Sequence, residues 1–146
     1  MKRHATAVWH GALSDGTGAI TVQSGALSDQ PYSFKSRFQD ESGKAGTNPE
    51  ELVAAAHAGC FAMQLSHMLA EAGHPADTLD AKAVVNVEQE GGGFAIKTSE
   101  ITLKAKVPGI DQAAFDDLAA KAKAGCPVSK ALAGIEIKLN ASLDNA

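Results

Sequence analysis

Two cysteines are the residues of this chain best suited to chemistry, and they stand in different settings. Cys60 lies in the middle of an uncharged, alanine-rich stretch over residues 52–70, a pattern that predicts a buried helix. Cys126 lies between Gly125 and Pro127, where one helix should end and another begin. Because a thiolate is both a nucleophile and a target of oxidation, this pair predicts one thiol that attacks and a second that resolves the oxidised first.

A reactive Cys60 needs a positive charge from elsewhere in the sequence. At an ordinary pKa near 8.5, only about 3% of a cysteine is ionised at neutral pH, and a mid-helix position gains nothing from a helix N-terminus. Arginine stays charged when it is buried, and the chain has only Arg3 and Arg37. Arg37, in a strand-like run, is therefore the predicted partner. Glu50, at the start of the Cys60 helix, is the predicted carboxylate that holds it.

The spacing along this helix predicts a dimer. Glu50 and Cys60 are ten residues apart, which is about 15 Å on a straight helix, so they should not meet within one chain. If both residues belong to one site, the simplest arrangement is two antiparallel copies of the helix, which would bring Glu50 and Arg37 of one subunit to Cys60 of the other. Cys126 precedes Pro127 at a helix start, where the dipole favours a thiolate and suits a resolving role.

Composition narrows the class of protein. A length of 146 residues predicts one domain, residues 1–146, that needs no disulfide for stability. The first residues lack an apolar run of signal-peptide length, so we expect a cytoplasmic protein, in which a cysteine pair is usually catalytic, redox-active or metal-binding. A net charge of −4 with scattered lysines argues against nucleic acid. Polar residues such as His57 and Gln64 argue against a membrane span over residues 52–70.

The pattern of apolar runs and turn residues predicts an α+β fold with the element order βββαββααβ. The helix that carries Cys60 has a marked start, because Asn48 offers a cap and Pro49 suits the first helical position. The predicted elements are strands over residues 5–10, 19–23 and 32–38, the Cys60 helix, strands over 81–90 and 94–107, a helix from Asp111 to about Lys123, a short helix from Pro127, and a strand over 135–143.

Three segments of the chain resemble the OsmC/Ohr family of thiol-dependent peroxidases. They are GTNPEEL at residues 46–52, AAAHAGCF at 54–61 and AKAGCPVS at 122–129, and the similarity extends nearly from end to end. The resemblance implies an OsmC-like fold in which antiparallel sheets wrap a long buried central helix. It also implies an intertwined homodimer, with sites at the subunit interface, that reduces organic hydroperoxides in oxidative or osmotic stress.

The resemblance also implies roles for individual residues. Cys60 would be the peroxidatic cysteine and Cys126 the resolving one, while Glu50 would orient the essential arginine. The Ohr branch carries that arginine in the first hairpin, where this chain has none between Arg3 and Arg37. The segment FKSRF at residues 34–38 is similar to the osmotically inducible OsmC branch, with Arg37 in that role.

The implied reaction uses no cofactor and no metal. Cys60 would attack the peroxide, become a sulfenic acid and condense with Cys126 to a disulfide. An external thiol, of the dihydrolipoyl type for some members of the family, would then reduce the disulfide. Phe34, Phe38, Phe61 and Met63 are candidates for an apolar substrate pocket. On a regular strand over residues 32–38 the first two would face away from Arg37, which favours Phe61 and Met63.

Two other classes of function remain open from the residues themselves. His57 and His67 lie on the Cys60 helix and could bind zinc together with the cysteines, although no Cys-x-x-Cys motif occurs. A redox sensor would oxidise the same cysteines without turnover and would signal to a protein partner. A buried cysteine can also be a small apolar core residue.

Overall fold

The computed structural model describes residues 1–145, which divide into two compact units, residues 1–52 and the residues from Val53 onward. Strands and helices are mixed along the chain, which confirms the predicted α+β class. The prediction of one domain stays a prediction. The elements are β1 (Ala5–His10), β2 (Thr17–Val22), β3 (Gln30–Ser33), α1 (Phe34–Phe38), α2 (Pro49–Glu71), β4 (Thr78–Glu90), β5 (Gly93–Lys106), α3 (Gln112–Gly125), α4 (Pro127–Ala131) and β6 (Glu136–Leu143).

The first unit contains an antiparallel sheet in the order β1-β2-β3. Gly18 on β2 is paired with Trp9 on one side and with Tyr32 on the other. The two aromatic rings meet across it, with centroids 5.4 Å apart. A Cβ atom at position 18 would collide with both rings. Glycine at this position therefore lets the aromatic pair close over the middle strand.

The predicted strand over residues 32–38 is wrong after Ser33, because Phe34–Phe38 is a helix. Ser33 caps this helix: the Ser36 amide donates to Ser33 Oγ at 3.0 Å, and the Ser33 amide donates to Ser36 Oγ at 2.9 Å. This reciprocal capping box satisfies two amides that a helix start leaves without partners. The observed order is βββααββααβ. Phe34 and Phe38 lie one turn apart on one face, with ring centroids 5.1 Å apart.

Helix α2 begins and ends close to the predicted residues. Asn48 Oδ1 accepts a hydrogen bond from the Glu51 amide at 2.8 Å, and Gly73 follows the helix with a φ of +83°. The apolar composition of this segment predicts a helix buried on all sides. In the single chain one side is buried and the opposite side is exposed, with Met63 at 77% exposure. Its length and apolar composition would suffice to cross a membrane, but its buried side belongs to the core of the second unit.

The second unit contains a sheet in the order β4-β5-β6. Strands β4 and β5 form the predicted long antiparallel hairpin. The prediction of wholly antiparallel sheets is wrong at β6, which runs parallel to β5. Helices α3 and α4 connect these two strands, and such a crossover is what a parallel neighbour requires. The core unites the buried side of α2 with β5 and α3, through Phe61, Leu65, Leu69, Ile101, Leu103, Val107 and Phe115.

Candidate active site

The two cysteines lie in contact in the second unit. Cys60 lies in the middle of α2, and Cys126 lies between α3 and α4, where its amide donates to the Ala122 carbonyl at 3.0 Å. Both are free thiols, and a hydrogen bond joins their sulfur atoms at a distance of 2.8 Å. A disulfide bond is about 2.05 Å long. The sulfurs therefore need to approach by less than about 1 Å to form one.

The two thiols differ in access. Cys60 is partly exposed, whereas Cys126 is 0% exposed. A small molecule from solvent therefore reaches the Cys60 sulfur first. Because oxidation requires access as well as thiolate character, this difference favours Cys60 as the sulfur that meets an oxidant.

The two thiols also differ in pKa, and the more exposed one, Cys60, has the higher pKa. Burial raises the pKa of Cys60, and its hydrogen bond with Cys126 raises it further. Burial alone would also raise the pKa of Cys126, but its contact with Cys60 and the neighbouring Ser129 amide and hydroxyl outweigh burial and lower the pKa. The contacts within the second unit therefore favour the protonated form of Cys60. A nucleophilic Cys60 needs a positive charge in addition.

His57, which the sequence suggests only as a possible zinc ligand, is a member of this site. It is 0% exposed, and both ring nitrogens have serine partners: Nδ1 lies 2.6 Å from Ser99 Oγ, and Nε2 lies 2.8 Å from Ser129 Oγ. Burial lowers the pKa of His57, so the ring is neutral at pH 7. One regularity could have pointed to it, since His57 comes three residues before Cys60 and Ser129 three residues after Cys126.

A zinc site would require a cluster of metal ligands. No group of three His, Cys, Asp or Glu side chains among residues 1–145 could hold a metal ion. His67, the second histidine considered as a ligand, lies on the surface of α2, where its Nε2 is 3.5 Å from a Glu71 carboxylate oxygen. His57 is instead engaged by two serine hydroxyls.

The first unit brings Arg37 and Glu50 together. Arg37 Nε donates to both carboxylate oxygens of Glu50 at 3.1 and 3.2 Å, and Nη2 donates to Oε1 at 2.6 Å. The side chains are 33% and 9% exposed, so the carboxylate is the more buried partner. The Arg37 guanidinium also lies 4.7 Å from the centre of the Phe38 ring. The ion pair and the ring together hold the guanidinium plane in one orientation.

A cavity of about 340 Å³ opens beside Arg37 in the same unit. Its walls are mainly aromatic and consist of Trp9, Leu13, Tyr32, Ser33, Phe34, Arg37 and Phe38. Phe38 thus lines a pocket with Arg37, contrary to the expectation from a strand, because the helical turn of α1 places both beside the same cavity. Phe61 is fully buried in the core of the second unit. Its place in a substrate pocket stays a prediction. Met63 lines a separate surface cleft of the second unit with His67 and Asp77.

Two free thiols in contact on an α+β scaffold define this chain as a two-cysteine thiol protein. The family model described as OsmC-like protein matches residues 40–140, a segment that includes Glu50, Cys60 and Cys126. The chain therefore belongs to the OsmC family, as its motifs predicted.

Named relatives and a solved structure agree with this assignment. Over 132 residues, covering 90% of each chain, the protein is 47% identical to peroxiredoxin OsmC of Escherichia coli strain K12. It is 33% identical over 124 residues to the organic hydroperoxide resistance protein OhrB of Bacillus subtilis strain 168, covering 84% of this chain and 87% of that protein. The crystal structure of OhrB of Bacillus subtilis matches with a TM-score of 0.71 at 30% identity, covering 95% of this chain and 98% of that one.

Proposed function

We propose that this protein is a thiol peroxidase that reduces organic hydroperoxides to alcohols, with Cys60 as the peroxidatic cysteine and Cys126 as the resolving cysteine. The observation that carries this proposal is the pair of sulfurs 2.8 Å apart, one accessible and one buried. The names of the relatives, peroxiredoxin OsmC and organic hydroperoxide resistance protein OhrB, support the same reaction class. We expect the protein to act in the cytoplasm.

The proposed peroxidase reaction has three steps. The Cys60 thiolate attacks the terminal oxygen of the hydroperoxide, the O–O bond breaks, and the alcohol leaves with a proton while Cys60 becomes a sulfenic acid. The Cys126 sulfur then attacks the Cys60 sulfur, the S–O bond breaks, and water leaves. An external dithiol of the dihydrolipoyl class finally reduces the Cys60–Cys126 disulfide and is itself oxidised to a disulfide.

Arg37 is the proposed source of the positive charge that Cys60 needs. The second unit raises the pKa of Cys60, so a nearby guanidinium would have to restore its acidity. Glu50 engages Nε and Nη2 of Arg37, which leaves the Nη1 edge of the guanidinium to face a thiolate or a peroxide oxygen. The aromatic cavity beside Arg37 would hold the organic group of the hydroperoxide, with Phe38 as one wall.

We further propose that the working form is a homodimer in which Arg37 and Glu50 act on Cys60 of the partner subunit. Glu50 and Cys60 are separated by ten residues of one helix, or about 15 Å. The outer side of α2 is apolar or small and exposed in the single chain, through Ala55, Ala56, Gly59, Met63, Ser66 and Ala70. A second copy of α2 packed antiparallel would cover this side.

Two experiments test the proposed function. One equivalent of cumene hydroperoxide, followed by mass spectrometry, should produce an intrachain Cys60–Cys126 disulfide. With excess dihydrolipoamide, the enzyme should turn over many equivalents of hydroperoxide, whereas a redox sensor would stop after one. Cys126→Ser should consume one equivalent and then stall, and Cys60→Ser should consume none. Steady turnover by Cys60→Ser would refute the assignment. Lys82→Ala, on the exposed face of strand β4, is the matched control.

A further inference from the structure

A buried chain of hydrogen bonds joins Ser99, His57 and Ser129 and ends beside Cys126. Ser99 Oγ lies 2.6 Å from His57 Nδ1, and His57 Nε2 lies 2.8 Å from Ser129 Oγ. Ser129 is the third residue of α4, whose N-cap is Cys126, and side chains at these two positions lie next to each other. The Ser129 hydroxyl also lowers the pKa of Cys126. Ser99, His57 and Ser129 come from β5, α2 and α4, and each is at most 4% exposed. Polar side chains from three elements thus meet beside one buried thiol. The proposed peroxidase reaction of Cys60 and Cys126 gives no role to His57 or Ser99.

The chemistry of the imidazole ring determines which groups donate and which accept along this series of hydrogen bonds. A neutral ring donates from one nitrogen and accepts at the other. When the Ser99 hydroxyl donates to Nδ1, the Nε2 proton is donated to Ser129 Oγ. The Ser129 hydroxyl proton then points away from the ring and toward Cys126 Sγ. Each hydrogen bond polarises the next, so the three together stabilise a negative charge on that sulfur more than a lone serine would.

We propose that His57 is a positioning residue for the resolving step: it orients the Ser129 hydroxyl toward Cys126 Sγ and thereby stabilises the thiolate that attacks oxidised Cys60. This proposal rests on the proposed function for its kinetic consequence. In that step the Cys126 sulfur forms the S–S bond and is oxidised, the sulfenic sulfur of Cys60 is reduced, and the departing hydroxide combines with the proton released by Cys126 to leave as water.

The other groups that act on Cys126 within the second unit do not depend on His57. Cys60 contributes from α2, and the Val128 and Ser129 amides contribute from α4. Cys60 is the titratable side chain among them, so its removal isolates the effect of the serine and the histidine. The Cys60→Ser background therefore leaves Cys126 as the one thiol of the chain.

The first test measures the pKa of Cys126 in that background, from the pH dependence of alkylation by iodoacetamide. Ser129→Ala should raise the pKa by about one unit, equivalent to tenfold less thiolate at neutral pH. Ser129→Thr retains the hydroxyl and should restore the lower value. His57→Phe should also raise the pKa. The double variant should match Ser129→Ala alone, since His57 acts through Ser129. His4→Phe, in the exposed N-terminal segment before β1, is the matched control.

The second test separates the two chemical steps in single-turnover kinetics with both cysteines present. His57→Phe and Ser129→Ala should consume the first equivalent of hydroperoxide at an unchanged rate, within about twofold, and form the disulfide about tenfold more slowly at pH 7. The slow step should recover at high pH, where Cys126 ionises without assistance. Ser99→Ala should give a smaller defect in the same step, and it keeps the test decisive if His57→Phe does not fold.

Two results would overturn the proposal. One is a Cys126 pKa that does not change in Ser129→Ala or His57→Phe. The other is an equal loss of rate in both steps, which would indicate a structural role alone. The pKa measurement uses no peroxide, so failure of the wild-type protein to reduce hydroperoxides would refute the proposed function without removing a measured effect of His57 on Cys126.

Discussion

Arg37 donates to Glu50 through two guanidinium nitrogens, Nε and Nη2, at 2.6 to 3.2 Å. Glu50 lies in the first turn of α2, the same helix that carries Cys60 ten residues later. The helix therefore carries both the carboxylate that orients the guanidinium and the thiol that we propose it activates. A carboxylate held by two parallel N–H donors fixes the plane as well as the position of the charge.

We predict that Arg37→Lys has little peroxidase activity although the charge is conserved. An ammonium group cannot make the two-nitrogen contact with Glu50, so its charge would not be held in one place. A cation within about 6 Å lowers a thiol pKa by one to three units, so the Cys60 thiolate at neutral pH should fall at least about tenfold. Alkylation of Cys60 as a function of pH in Cys126→Ser measures this change. Arg3→Lys is the control, and an unchanged Cys60 pKa would contradict the prediction.

The proposed action across subunits predicts complementation between inactive variants. Arg37→Ala and Cys60→Ser should each be inactive as homodimers. Mixed dimers would combine Arg37 of one subunit with Cys60 of the other in one intact site. After unfolding and refolding of an equal mixture, about one quarter of the wild-type activity should return, because half of the dimers are mixed and each has one intact site of two. If the mixture stays inactive while mixed dimers are present, Arg37 acts within its own chain.

Burial of neutral His57 predicts a loss of stability in mild acid. The pKa of His57 is lowered from 6.5 in the folded chain, so the unfolded chain binds more protons as the pH falls below that value. The contribution of His57 is therefore complete above pH 6.5 and is lost as the pH falls toward the folded pKa. Urea unfolding at pH 7.5 and at about pH 5.5 should show this decrease, and His57→Phe should reduce the difference. If the free energy of unfolding decreases between these two pH values as much in His57→Phe as in the wild type, groups other than His57 cause the loss of stability in acid.

Phe61 and Met63 are predicted to differ in their effect on stability. Phe61 is wholly buried, so Phe61→Ala should lower the free energy of unfolding by about 3 to 5 kcal/mol. Met63 is 77% exposed, so Met63→Ala should change the stability of the chain by less than about 0.5 kcal/mol at concentrations where it is monomeric. Urea unfolding of dilute protein measures both. If Phe61→Ala lowers the free energy of unfolding only slightly, the burial of Phe61 in the core is contradicted.

Local chemistry explains which parts of the fold could be predicted. Asn48 and Pro49 mark the start of α2, and Asp111 marks the start of α3, because a capping side chain acts within a few residues of its own position. The predicted strand is wrong over residues 34–38, because the β propensity of the aromatic residues competes with the Ser33–Ser36 capping box, and the box prevails. The parallel pairing of β6 depends on how α3 and α4 cross over the sheet, which no local pattern encodes.

By itself the sequence determined the α+β class, the positions of the long helix and long hairpin, and the choice of Cys60 and Cys126 as the candidate reactive residues, because composition, caps and motifs act through short-range chemistry. The tertiary structure alone decided which side of alanine-rich α2 is buried, and so placed Phe61 in the core and Met63 at the surface. It also decided that His57 meets Ser99 and Ser129, residues 42 and 72 positions away. Such contacts depend on packing between distant elements, which the periodicity of one helix cannot specify.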